Sequence, residues 1–365
     1  MRRRTRWTTL SAALTGTVAL ALAGCSAAGE GGGDAPLVGV ALPTTTSARW
    51  IADGENLQAQ LEGLGYDVTL EYAEDDVPTQ VEQLEQMIAA GADALVVGSI
   101  DGVALKSVLA EAGAADIPVI AYDRLIRDSS DVAYYASFDN FRVGVLQAQA
   151  LLTGLGVLDE AGARTSAAGP FSVELFAGSS DDNNAHVFFA GAMSVLQPYL
   201  DSGVLVVPSG QTEFDEIATQ GWSGDVAGER MQTLVGAYGA GRTLDGVLSP
   251  YDGISRAILD VASGIDQPAL PVVTGQDAEI DSVKLVKDGT QHSTVYKDTR
   301  QLAEVTVSMV RELLDGGTPE VNDTTSYDNG VQVVPSYLLT PALVTQDNYE
   351  RVLVDGGYYT AQEIG

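Results

Sequence analysis

Cysteine is almost absent. The 365-residue chain has one, Cys25, so no disulfide can form within it. Histidine is nearly as scarce: His186 and His292 stand alone, which argues against a His/Cys metal centre. Basic residues are few as well, 19 Lys+Arg against 50 Asp+Glu, for a net charge of −31. A surface that acidic excludes nucleic acid as a partner, and an anionic membrane surface as the main one. The chain also lacks GxGxxG, GxxxxGK[ST] and GxSxG. Those absences count against nucleotide cofactors and nucleophile-elbow hydrolysis. Charged residues make up only 19% and hydrophobic ones 45%, so the acidity does not imply disorder.

What is present begins with an export signal over residues 1–24. Arg2, Arg3, Arg4 and Arg6 precede an uncharged apolar run from Leu10 to Leu22. That run is shorter than the ~20 residues a spanning helix needs. It ends in Leu22-Ala23-Gly24-Cys25, the pattern of a bacterial lipobox, in which the cysteine thiol takes a diacylglycerol before cleavage. Residues 25–36 follow as a flexible tether, small and polar with three consecutive glycines. The mature protein is expected outside the cytoplasmic membrane, lipid-anchored through Cys25.

From residue 37 short aliphatic runs alternate with amphipathic stretches. Leu37–Leu42, Val68–Tyr72, Ala94–Ser99, Ile117–Tyr122 and Val132–Ser137 read as strands. Between them Gln80–Ala90 places Val81, Leu84 and Ile88 on one helical face, and Ala104–Ala115 does the same with Leu105, Val108 and Leu109. Gly65, Gly91 and Gly113 fall where helices should stop. The pattern restarts after the Gly/Ala-rich stretch 154–170, with strands near 171–177, 204–207, 246–248 and 270–274. The fold class expected is α/β: two doubly wound parallel-sheet lobes.

In open α/β sheets ligands bind outside the carboxyl ends of the strands. Here those ends carry Arg49 and Trp50, Asp123 and Arg124, Asp139 and Asn140, the run Asp181–Asn184, Asp252 and Asp277. Asp, Asn and Arg beside an aromatic suit a neutral polyhydroxylated ligand. Hydroxyls need donors and acceptors together, and the C–H face of a pyranose packs on an indole. Each candidate has a plainer role to set against this. Trp50 fits a helix start packed into the core, Asp123-Arg124 fits a structural ion pair, and Asp139 or some of the run Asp181–Asn184 fit a helix N-cap.

The strings SARW, QLEQMIAAGADALVVGSIDG, IPVIAYDRLI, SFDN, GSSDDNNA, SPYDG, GQDAE and VPSYLLTPALVT occur in that order over about residues 37 to 360. Together they resemble the periplasmic xylose-binding and multiple-sugar-binding proteins, the ribose/galactose-binding branch of ABC transporter components. The resemblance implies a type I periplasmic binding protein fold, two lobes joined by a three-segment hinge and closing on one monosaccharide. It implies crossings near Phe138–Asn140, Gly275–Asp277 and Tyr296–Lys297, with residues 37–138 plus 277–296 in the first lobe and 139–276 plus 297–365 in the second. It adds Asn184, Trp222 and Lys297 to the sugar contacts. No cofactor, metal or catalytic residue is implied.

The partners implied are a monosaccharide, an ABC permease and, for sensing, a chemoreceptor or sensor kinase; the protein itself is expected as a monomer. Two competing readings are weaker. A sugar-responsive transcription regulator needs a basic helix-turn-helix where this chain has an export signal. A carbohydrate-active enzyme needs carboxylates flanking a bond by ~5–9.5 Å, and the neighbours Asp181 and Asp182 do not provide that.

Overall fold

The computed structural model describes residues 35–238 and 241–365. The signal segment, Cys25 and the tether as far as Asp34 lie outside the described residues.

The first lobe is laid down as β1 (Leu37–Leu42), α1 (Ala48–Gly63), β2 (Asp67–Tyr72), α2 (Val77–Ala89), β3 (Ala94–Val97), α3 (Lys106–Ala114), β4 (Val119–Tyr122) and β5 (Val132–Phe138). β1 lies inside the sheet, between β2 and β3, and is buried from Val38 onward. This is why it reads as an unbroken apolar run. β2 is the edge strand and alternates outward with Asp67 and Glu71, which discourages pairing with another chain. α2 starts earlier than its apolar spacing suggests, because the Asp76 carboxylate accepts from Thr79 N at 2.9 Å and Pro78 occupies its first turn. Gly65 and Gly91 adopt positive φ (87° and 81°) beyond α1 and α2. Gly113 instead lies within α3, and the left-handed turn falls to Asp116 at φ 58°.

The second lobe comprises α4 (Asn140–Gly154), β6 (Phe171–Leu175), α5 (Asn183–Asp201), β7 (Leu205–Val206), α6 (Phe214–Ile217), α7 (Gly224–Leu234), β8 (Gly246–Leu248), α8 (Asp252–Ala262), β9 (Val272–Val273), α9 (Ile280–Asp288) and β10 (Ser293–Tyr296). Its four-stranded parallel sheet has the order β7-β6-β8-β9. α4 and α5 cover one face through Leu151, Leu152 and Leu196, and α7 and α8 the other through Met231 and Ile258. The chain continues as α10 (Thr299–Leu314), β11 (Ser336–Leu339), β12 (Ala342–Thr345) and the short α11 (Ala361–Ile364). Among the described residues no helix is long and apolar enough to cross a membrane.

The lobe boundaries need correcting. α10 packs Leu302, Ala303, Val307 and Val310 against β1 and α1, and β11 joins β5 in parallel to complete a six-stranded sheet, β11-β5-β4-β3-β1-β2. Residues 299–339 therefore belong to the first lobe rather than the second. Residues 277–296 belong to the second: Ala278, Val283 and Tyr296 share a core with Val344, Leu353 and Ile364. The chain crosses at Phe138–Asn140, Tyr296–Thr299 and Leu339–Ala342, and Gly275–Asp277 stays inside the second lobe. An amphipathic stripe states that a helix covers a sheet; it does not state which of two similar sheets.

Candidate functional site

A cavity of about 190 Å3 lies between the lobes, at the carboxyl ends of the strands. That is well above the ~10–15 Å3 a cavity needs to hold one water, and leaves room for several waters or one small polar molecule. The first lobe contributes the turn from β1 into α1, carrying Arg49 and Trp50, and the turn after β4, carrying Asp123 and Arg124. The second contributes Asp181, Asp182, Asn184 and Phe188 from the start of α5, Trp222, Tyr251, and Gln276 with Asp277. Lys297 stands at a crossing.

The cations are held by carboxylates. Arg49 Nη2 donates to Asp123 Oδ1 at 2.5 Å, and its Nε lies 3.1 Å from Asp53 Oδ2. Lys297 Nζ lies 3.0 Å from Asp277 Oδ1 and 4.0 Å from Asp123 Oδ1. Burial alone would raise the Asp123 carboxyl, but Arg49 and Lys297 beside it hold it well below the usual carboxylate range. Asp123 has φ 59°, and its carbonyl oxygen accepts from the Tyr135 hydroxyl (2.6 Å), the Ser137 hydroxyl (2.8 Å) and Asn184 Nδ2 (2.8 Å). Three donors on one oxygen fix an otherwise strained turn.

Arg124 reaches across the cleft. Its Nε lies 3.0 Å from Asp182 Oδ2 on the other lobe, while Nη1 donates to the Ser99 and Ile100 carbonyls. Burial pushes the Asp182 carboxyl up, against the pull of Arg124. The lobes also meet where Gly102 N donates to Asp181 O and Ser47 Oγ donates to Glu279 Oε1.

The indoles differ. Trp50 is 4% exposed and packed in the first-lobe core, with the guanidinium carbons of Arg49 and Arg124 at 4.9 and 5.2 Å from its ring centre. Trp222 is half-buried, edge-on to Phe188 and Tyr251, and its buried Nε1 has no protein partner. Gly178 makes room for it: a Cβ there would sit 2.0 Å from the indole.

Eight of the ten residues expected to contact sugar line this cavity: Arg49, Trp50, Asp123, Arg124, Asn184, Trp222, Asp277 and Lys297. Asn140 and Asp252 do not, and both are fully buried. Asn140 stands behind Asn184, donating to its Oδ1 at 2.9 Å. Asp252 accepts from Gln291 Nε2, Thr294 Oγ1 and Glu279 N, tying the start of α8 to α9 and β10. In SPYDG the residue reaching the cavity is Tyr251, one position earlier, because the helix starting at Asp252 turns the aspartate inward. Gln276 was likewise missed beside Asp277; its Oε1 is buried without a protein partner. Phe188 had a signal, lying four positions after Asn184 on the same helix face. The helix-cap reading holds for Asp139, which accepts from Arg142 N, and within the run Asp181–Asn184 the cap is Asp182, which accepts from Asn184 N.

Comparison with known proteins agrees with this geometry. Residues 38–318 match the periplasmic binding protein domain family. A multiple sugar-binding periplasmic receptor of Rhizobium radiobacter, ChvE, is 53% identical over 97% of this chain and 98% of its own. The D-xylose-binding periplasmic protein of Escherichia coli is 33% identical over 90% of this chain and 92% of its own. An ABC transporter solute-binding protein from Clostridium phytofermentans, solved with bound β-D-glucose, superposes with a TM-score of 0.86 at 45% identity, covering 90% of this chain and 100% of that one. With two parallel-sheet lobes, a cavity between them and this degree of likeness, the chain belongs to the periplasmic binding protein family.

Proposed function

We propose that this protein captures one neutral monosaccharide, an aldose such as xylose, glucose or galactose, outside the cytoplasmic membrane and delivers it to an ABC permease. The observation that carries the reading is the cavity between the lobes. It joins a half-buried indole with an unpartnered N–H to charged groups already paired with one another. Such pairs offer hydroxyls both donors and acceptors without leaving a bare charge buried. Eight of the expected residues are the proposed contacts: Arg49, Trp50, Asp123, Arg124, Asn184, Trp222, Asp277 and Lys297. Two relatives named for sugar or xylose binding, and a solute-binding protein solved with bound β-D-glucose, point the same way. Calorimetric titration with a panel of aldoses tests it. Saturable, stoichiometric heat with at least one aldose is expected, and no binding across the panel would sink the reading. The sugar should be recovered unchanged, because the proposed role is binding without turnover.

The word receptor in the name of the Rhizobium radiobacter relative favours a second role, presentation of bound sugar to a membrane sensor. Loss of sugar uptake on deleting the gene supports transport; uptake intact with a lost sugar response supports sensing.

Attachment through Cys25 belongs to the same proposal. Replacing Cys25→Ser should abolish incorporation of labelled fatty acid and release the protein from the membrane fraction. Labelling equal to wild type would rule the anchor out.

A further inference from the structure

Arg49 is gripped from two sides, and only one side faces the cavity. Asp123, at Nη2, lines the cavity, whereas Asp53, at Nε, does not and is 0% exposed. Asp53 sits one helical turn after Arg49 on α1, so the pair is set by i, i+4 spacing. Its other oxygen accepts from the Tyr122 hydroxyl at 2.5 Å, and Tyr122 is itself fully buried on β4. Arg49 lines the cavity, and the contacts recorded for its guanidinium among the described residues are at Nη2 and Nε.

We infer that Asp53, backed by the Tyr122 hydroxyl, is the positioning residue for Arg49: it aims the guanidinium at the sugar from behind, so affinity passes through a carboxylate the sugar never touches. This rests on the proposed sugar-binding function and deepens it. A guanidinium is a rigid planar fork. The hydrogen bond at Nη2 and the Asp53 charge 3.1 Å from Nε, an ionic contact without a hydrogen bond, together favour one orientation of the plane, and with it of Nη1. With Asp123 alone the group could still rotate about that contact.

The surroundings make the hold sensitive to protonation. Asp53 faces Arg49 on its own helix and Tyr122 on β4, with Asp123 and Lys297 beyond them. Tyr72 of β2 and Tyr358 of the C-terminal segment also feel its charge. Burial raises its carboxyl to about 7, against the opposing pull of Arg49 and of the Tyr122 hydrogen bond. Below that pH Asp53 takes a proton and its ionic grip on Nε is lost.

The test is calorimetric titration of wild type, Asp53→Asn and Tyr122→Phe with the tightest aldose found, from about pH 5 to about pH 9. Wild-type Kd should rise as pH falls through about 7, by at most tenfold per unit for one proton. Asp53→Asn should bind roughly ten- to a hundredfold more weakly at high pH, the scale of coupling between residues in direct contact, and should lose this pH step. Tyr122→Phe should keep the step with its midpoint moved upward, a change that a purely structural role does not produce. Wild-type affinity in Asp53→Asn with an unaltered profile would overturn the inference. Should Asp53→Asn fail to fold, the Tyr122→Phe profile decides: an unmoved midpoint overturns the inference.

Should wild type bind no aldose, the functional reading fails separately, and the Arg49 Nε–H resonance of the ligand-free protein decides the positioning. It should shift as Asp53 titrates, with a higher midpoint in Tyr122→Phe. A resonance that ignores this titration overturns the inference.

Discussion

Arg124 belongs to both lobes at once, rooted in the first by two backbone carbonyls and paired in the second with Asp182. Truncating it removes a donor from the cavity wall and leaves a buried carboxylate without its partner. Arg124→Ala should therefore weaken sugar binding by ~2–5 kcal/mol, the range for breaking a buried charge pair at an interface. Calorimetry checks it, and unchanged affinity in a folded variant would reduce Arg124 to scaffolding. The two tryptophans should separate in a similar way. Trp50 is core as well as wall, so Trp50→Ala should cost ~3–5 kcal/mol of stability in addition to affinity. Trp222 is half-buried at the cavity, so Trp222→Ala should lose ~1–3 kcal/mol of binding with a smaller change in melting temperature. Paired melts and titrations of the two variants measure the contrast. Equal effects on both quantities would contradict the division.

Between residues and molecule stand the strand–helix turns, and the site is assembled from them. α5 shows how one turn serves several ends: Asp182 caps the helix and holds Arg124, Asn184 bonds the Asp123 carbonyl, and Phe188 adds an apolar wall one turn on. The turn after β6 adds Gly178, which has no side chain to displace Trp222. A methyl group there would fall 2.0 Å from the indole, too close for any real contact. Gly178→Ala should push Trp222 out of place and weaken sugar binding by about tenfold or more, the scale of a misplaced aromatic contact. The far-UV circular dichroism should stay unchanged, because the neighbour that must move is a half-buried loop side chain. Wild-type affinity in this variant would mean that Trp222 does not need its present position.

For the whole molecule, the cleft contacts Arg124–Asp182, Gly102–Asp181 and Ser47–Glu279 are made only while the lobes stay together. A bound sugar bridging both walls should favour that closed arrangement. Small-angle scattering should show the radius of gyration falling on addition of a cognate aldose, and intrinsic tryptophan emission should shift saturably with it. A non-ligand polyol should change neither.

Buried aspartates should act on stability with opposite signs as pH changes, Asp53 and Asp123 being the clearest contrast. Asp53 keeps a proton in the folded state up to about 7, long after the unfolded chain has lost it near ~3.9. It therefore erodes stability as pH rises between those values, by at most ~1.4 kcal/mol per unit. Asp123, held low by Arg49 and Lys297 against burial, stabilises the fold above ~3.9, and that contribution is lost as the medium becomes more acid. Urea unfolding of wild type and Asp53→Asn at several pH values isolates the first effect as a difference: the variant should decline less steeply, keeping only the part that comes from Asp182 and Asp252, whose carboxyls burial also pushes up.

Local chemistry is what the amino-acid sequence determined by itself. Apolar runs beside Asp, Asn and Arg declared strands with ligand-facing ends, and β1 to β9 lie on the nine segments read that way. Asp76, Asp139 and Asp182 cap helices because a short acidic side chain beside free N–H groups needs no distant partner to do so. Tertiary structure alone decided where long-range partners meet. α10 could cover either sheet by its stripe and was placed by its fit to β1 and α1, and β11 returned to pair with β5 across nearly two hundred residues of chain. Asn140 and Asp252 sit at strand ends as polar as those of Asp123 and Asp277, yet the first two face inward to buried partners and the second two face the cavity. That direction depends on which helix packs behind each turn, and no spacing along the chain encodes it. The electrostatics follow the same rule. Asp53 and Asp123 are one residue type, and only burial and the placing of Arg49, Lys297 and Tyr122 drive their proton affinities apart.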